Sequence, residues 1–176
     1  MTYYARRLPH WHPDGALFFV TWRLYGTLPH VARSHAPRSF LIWDRQLETA
    51  PAGPRWLSVP EVARSVSQVL RLSATDWELC DLRAWVIMPN HVHVLLEPRR
   101  PLVRVLQSIK SASARSANRI LSRAGRPFWQ DESFDHWVRN PDQEQRIVRY
   151  IESNPVSAGL TATPASWPWS SAAHQP

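Results

Sequence analysis

Residues 84–97, AWVIMPNHVHVLLE, form an apolar run broken by Pro89-Asn90 and resumed with two histidines. The pattern predicts a hairpin carrying a metal site. Side chains on a strand alternate between its faces, so His91 and His93 point one way while Val92, Val94 and Leu96 enter a core. Two imidazoles so placed can grip one cation, held there by a buried backbone. A His-x-His pair also occurs as ordinary packed or surface histidine, so the reading leans on residues further along.

About sixty residues later, residues 140–155 (NPDQEQRIVRYIESNP) carry helix punctuation at both ends. Asn140 suits the N-cap, Pro141 the first helical position, and Gln143 has capping-box spacing. Pro155 disfavours helical geometry at Asn154, so the helix is expected to end or bend there. Tyr150 and Asn154 are one turn apart on one face, beside an apolar stripe of Ile147, Val148 and Ile151. Taken alone, that face reads as ordinary packing.

A chain of 176 residues supports one domain, expected over 1–176, with a basic aromatic arm at 1–14 and a C-terminal tail at 161–176. The 21 basic and 14 acidic residues give a formal charge of +7, which suits an anionic partner such as nucleic acid. All but Lys110 of those cations are arginines, whose planar fork matches phosphate and stacks on bases. A GC-rich coding sequence would produce the same bias, and the two readings are compatible. Cys80 stands alone, which excludes an intrachain disulfide or a cysteine cluster and fits a reducing cytoplasm. No signal peptide or membrane span is expected. Ten tryptophans can stack on unpaired bases, although core packing accounts for most such residues.

Within the arm, Arg6 and Arg7 are candidate DNA contacts. A second pair, His10 and His12, is bracketed by Pro9 and Pro13, which argues for an irregular segment. Residues 16–24 alternate as a buried strand, a loop covers 25–37, and residues 38–48 have helical spacing. After a Pro-Gly break at 51–54, Ser58 to Glu61 has capping-box spacing for a helix through Val62, Val66, Val69 and Leu70. A strand follows over 77–88, then a looser turn than the tightest hairpins use, because of Pro89. Leu102, Val105, Leu106 and Ile109 mark the buried side of a helix decorated by Arg104, Lys110, Arg115 and Arg119. Those four are candidate DNA contacts or simply a solvated face. Gly125 is expected to end this helix, and residues 128–139 include a fourth strand. The order strand, helix, strand, strand, helix, strand predicts a ferredoxin-like α+β sandwich.

Three stretches together, MPNHVHVL at 88–95, FWQDESFD at 128–135 and YIESNPVSAGL at 150–160, resemble the single-tyrosine His-hydrophobic-His transposases of insertion-sequence-200-like type. The likeness is to the REP-associated tyrosine transposase branch, and it runs from residue 20 to residue 171. It implies the ferredoxin-like fold, Tyr150 as the nucleophile, and His91, His93 and Asn154 as holders of a divalent ion, Mg²⁺ or Mn²⁺. The implied reaction is metal-dependent cleavage and rejoining of single-stranded DNA through a 5′-phosphotyrosine, at hairpin-forming repetitive palindromes. The implied partner is single-stranded or hairpin DNA, the protein being a monomer or homodimer in the cytoplasm, on the nucleoid.

By placement alone, Tyr150 is the best of four tyrosines for the nucleophile, since Tyr3 and Tyr4 lie in the arm and Tyr25 follows a strand. Where many relatives carry a tyrosine after the Phe-Trp-Gln motif, this chain has Ser133-Phe134, with His136 close by. His136 reads either as a site contact or as a strand histidine, and Glu97 either as an outer metal group or as a surface residue. His-Val-His-Val also begins the histidine-triad hydrolase pattern, but Leu95 occupies the third position and cannot act as nucleophile or acid. The remaining alternative is a palindrome-binding protein that does not cut, for which retention of all four site residues has no use.

Overall fold

The computed structural model describes residues 2–5, 9–12, 15–27 and 53–174. Strands β1 (Thr2–Ala5) and β2 (Pro9–His12) pair as a separate antiparallel hairpin. The expectation of an irregular arm is therefore corrected: Pro9 is the first residue of its strand, a position that tolerates proline, and Pro13 falls beyond its end. Arg6, Arg7 and the helix expected at 38–48 lie outside the described residues.

The main sheet contains β3 (Leu17–Leu24), β4 (Cys80–Ile87), β5 (His91–Pro98) and β6 (Trp129–Val138). Their spatial order is β4-β5-β3-β6 with every neighbour antiparallel. Helices α1 (Pro60–Thr75) and α2 (Leu102–Ile120) complete the β-α-β-β-α-β order of the ferredoxin-like sandwich, and α3 (Pro141–Ser157) is an additional helix.

Strand alternation divides the core into two. On one face Phe18, Val20 and Trp22 of β3 and Val92, Val94 and Leu96 of β5 pack with Val62, Val66 and Leu70 of α1 and Leu102, Val105 and Ile109 of α2. On the other, Phe19, Val86, Leu95 and Val138 pack with Ile151 of α3, with Ile147, Tyr150 and Trp167 against them. A one-residue slip of β5 would turn Val92, Val94 and Leu96 away from α1 and α2. At about 1.5–3 kcal/mol per side chain, that loss fixes the register. The histidines are consequently fixed on the α3 face.

Several boundaries differ from the sequence expectation. Ser58 ends a short 3₁₀ turn, Trp56–Ser58, and does not cap α1; Val59 is the N-cap and Pro60 supplies the preset first turn. The second strand begins at Cys80, preceded by Glu78 at φ +47°. Across Pro89-Asn90 the Met88 N–H donates to the His91 carbonyl at 2.9 Å, so the connection has only two residues and is no looser than the tightest hairpins, although neither has the positive φ of a primed turn.

Gly125 does not end α2. The helix closes earlier, where Ser122 takes φ +54° and Arg123 N–H donates to the Asn118 carbonyl at 2.7 Å. Pro155 does not stop α3, which runs on to Ser157; Pro155 is itself buried, and that packing offsets the missing hydrogen bond. The stop comes at Gly159, φ +69°, with Leu160 N–H donating to the Pro155 carbonyl at 2.9 Å.

The C-terminal segment covers the outer edge of β4. Ile87 N–H donates to the Trp169 carbonyl at 2.8 Å, Trp167 Nε1 donates to the Ile87 carbonyl at 3.0 Å, and Val86 bridges to Ser170. Over Trp85 to Ile87 the edge is thereby closed to pairing with another chain. Ser171 links this segment to α3, its hydroxyl donating to Glu152 Oε1 at 3.1 Å.

At the start of α3, Asn140 Oδ1 accepts from Gln143 N–H at 2.9 Å. Asn140→Ala should lower stability by about 1 kcal/mol, read as a reduced urea midpoint at unchanged slope.

Candidate active site

The site grows from the pairing of β3 with β5. Thr21 lies opposite His93 and Arg23 opposite His91. Leu24 N–H donates to the Asn90 carbonyl at 2.8 Å, which makes the next pair, Arg23 and His91, a narrow non-hydrogen-bonded one with close side chains. Thr21 and His93 form a narrow pair by the same period of two, and Thr21 Oγ1 is 2.7 Å from His93 Nδ1. His91 Nδ1 is 2.7 Å from Asn90 Oδ1. Both imidazoles are therefore fixed through Nδ1, and their Nε2 atoms face each other at 3.0 Å. Both rings are fully buried.

Asn90 Oδ1 is an acceptor, so His91 Nδ1 carries a proton, and in the neutral ring Nε2 presents a lone pair. When the Thr21 hydroxyl likewise accepts from His93, two lone pairs meet, an arrangement that a shared cation stabilises. The 3.0 Å separation equals that of two adjacent ligands on an octahedral ion with bonds of about 2.1 Å. The Nδ1 partners supply the orienting hydrogen bonds that metal-bound histidines use. Among the described residues, no group of three His, Cys, Asp or Glu side chains could hold a metal. Two imidazole nitrogens at this separation match two adjacent positions on an octahedral divalent ion, and further donors would have to be amide or phosphate oxygens.

Tyr150 of α3 reaches this cluster. Its ring centroid is 5.7 Å from that of His93 and 6.1 Å from that of Phe19, the Phe19 ring being perpendicular to it. Phe19 stacks on His93 at 5.6 Å, so the three rings pack as a triangle. Asn154, one turn beyond Tyr150, is 2 % exposed on the same helix. Tyr150 thus packs against the histidine pair of its own chain.

The other candidates are distributed differently. Arg104, Arg115 and Arg119 are exposed on α2, across the sheet from the histidines. Lys110 has a structural contact: its ammonium donates to the carbonyls of Gln130 and Asp131 at 2.7 and 2.9 Å, tying α2 to β6. Glu97 sits at the far end of β5 beside Arg83, 3.5 Å away, and is a surface residue. Cys80 is buried in the core next to Ser73, and burial raises its thiol pKa, which keeps it protonated.

Sequence reasoning passed over Thr21, Asn90 and Arg23. The signal for Thr21 and Arg23 was their polarity at alternate positions of a strand buried on both faces. Arg146 and Arg149 are exposed on α3, beside Tyr150 in sequence.

His136 lies opposite Phe19 on the site face of β6, but its contact is with α3. Gln143 Nε2 donates to His136 Nε2 at 2.7 Å, while Gln143 Oε1 accepts from Arg139 N–H at 2.9 Å. The histidine must therefore be neutral.

A sequence model of the family described as "Transposase IS200 like" matches residues 56–154, more than half the chain. The chain belongs to the IS200-like transposase family. A solved REP-associated tyrosine transposase bound to a REP hairpin is 20 % identical at TM-score 0.57, over 99 % of this chain and 84 % of that one. That likeness shows a common fold, and the ferredoxin-like expectation is correct. A putative transposase from Deinococcus radiodurans R1 is 14 % identical at TM-score 0.41, over 84 % of this chain and 97 % of that one. No curated protein matches. Among the described residues no helix is long and apolar enough to cross a membrane.

Burial lowers the pKa of His136, the Arg139 charge lowers it further, and Asp135 opposes both. Neutral in both states above about pH 6.5, this histidine costs nothing there; as pH falls through that value the unfolded chain takes the proton first and stability drops. Thermal unfolding should therefore lose more between about pH 7.5 and 5.5 in the wild type than in His136→Gln.

Proposed function

We propose that this transposase-family chain cuts and rejoins single-stranded DNA through a 5′-phosphotyrosine on Tyr150, at hairpin-forming repetitive palindromes. The observation that carries the reading is the edge-on packing of Tyr150 against His93, whose Nε2 faces that of His91. In the solved relative the hairpin is the bound ligand. The +7 charge and the exposed Arg146 and Arg149 beside the tyrosine suit a DNA backbone.

His91 and His93 would hold Mg²⁺ or Mn²⁺ with Asn154, and such an ion supplies Lewis-acid polarisation of a phosphoryl oxygen. Thr21 and Asn90 keep the imidazoles turned toward it. Packing between Phe19 and His93 limits the directions Tyr150 can take, which orients the phenol for in-line attack. Tyr150 Oη forms the new bond to phosphorus and the 3′-oxygen leaves. The phenolic proton is balanced by the proton on the released 3′-hydroxyl, and the ester energy is kept for rejoining. Because Tyr150 packs against His93 of its own chain, nucleophile and imidazoles can act within one protomer, which favours a monomer.

The test is a denaturing gel of protein incubated with Mn²⁺ and end-labelled hairpin DNA bearing an unpaired flank. A covalent band is expected that vanishes in Tyr150→Phe and falls roughly a hundredfold or more in His91→Ala. Binding without a band across several palindromes and both metals would replace this reading with a non-cleaving palindrome-binding protein.

A further inference from the structure

Arg23 is a charged residue only 7 % exposed, on the sheet face that carries the histidines and directly opposite His91. In a narrow pair the two Cβ atoms are about 4.5–5.5 Å apart, so the Arg23 side chain starts within its own length of the imidazole cluster. Toward β6 the pairing is irregular. Trp22 pairs with Ser133 and Leu24 with Trp129, so Gln130, Asp131 and Glu132 together span the place opposite Arg23. Bulges of this kind open space and re-aim side chains beside functional sites. Gln130, in that bulge, has a buried Oε1 with no hydrogen-bond partner.

A permanent positive charge beside a site suited to a divalent cation repels any ion bound there, and an anion lying between the two relieves that repulsion. A DNA phosphate at the histidine pair is such an anion. It has two non-bridging oxygens, and the arginine fork binds phosphate oxygens with directed hydrogen bonds.

We infer that Arg23 contacts a non-bridging oxygen of the DNA phosphate held at the His91–His93 pair. The inference rests on the DNA-processing reading above and adds to it a second positive contact on the same phosphate. Because the guanidinium stays charged throughout the accessible pH range, its contribution is constant with pH.

The test neutralises phosphates one at a time. Tyr150→Phe protein is titrated with hairpin DNA carrying a single methylphosphonate at successive linkages of the unpaired flank, in four backgrounds: Arg23 intact, Arg23→Gln, Arg23→Lys and His91→Ala. Melting curves check that each variant is folded. One linkage is expected whose neutralisation weakens binding roughly tenfold or more with Arg23 intact, and by less than about threefold in Arg23→Gln. The same linkage should be the one coupled to His91, and Arg23→Lys should keep part of the effect.

Equal losses at every linkage in the protein with Arg23 intact and in Arg23→Gln, or coupling only at a linkage indifferent to His91→Ala, would overturn the inference. Should Arg23→Gln fail to fold, Arg23→Lys decides: a charge-preserving change that reduces the coupling at the His91 linkage supports the contact, and one that leaves it whole overturns it. Covalent-band formation by the wild type is scored separately. A band without Arg23 coupling sinks this inference alone, and coupling without a band sinks the cleavage reading alone.

Discussion

The two-residue period of β5, pinned by its apolar side, is the constraint on which the rest of the molecule depends. Val92, Val94 and Leu96 are fully buried against α1 and α2, and a one-residue slip would turn them out. Given that register, His91 and His93 emerge side by side on the opposite face, within reach of the β3 residues that orient them. A pair of side chains on a loop would lose conformational entropy each time it closed on a ligand. Here that entropy is lost once, on folding.

The second layer depends on how α3 is held over that face. Its start is fixed by Asn140 capping Gln143 and by the Gln143 side chain, which spans Arg139 and His136. Its middle packs through Ile151 and Tyr150, and its outer side is tied through Glu152 to Ser171 of the segment closing the β4 edge. These contacts are spread along the helix, so the position of Tyr150 depends on the sheet and on the C-terminal segment together. The angle between the Tyr150 and His93 rings, 63°, follows from packing that no single contact determines.

Charge is divided between the faces. Exposed arginines of α2 lie across the sheet from the histidines, whereas Arg146 and Arg149 are exposed on the helix that carries Tyr150. Arg23 is buried at the strand position opposite His91. The general positive charge is suited to attracting DNA, and the buried cation differs from it in being withdrawn from solvent. Lys110, bound to two carbonyls, is taken up by the fold.

The alternation of residues 16–24 and 91–96, the apolar faces of α1 and α2, and the Asn140-Pro141 start of α3 were all legible in the sequence, because each depends on residues close together along the chain. The family and the ferredoxin-like order were legible for the same reason. Local signals misled where tertiary contacts outweighed them: of the two outcomes expected at Pro155, an end or a bend, the end does not occur, and Ser122 closes α2 before Gly125 is reached. The meeting of Tyr150 with His93, the Thr21 and Asn90 bonds that set the imidazole rotamers, and the placing of Arg23 opposite His91 belong to the tertiary structure alone. They join residues far apart in sequence or depend on side-chain torsions, and periodicity along a chain carries information about neither strand order nor the packing that selects a rotamer.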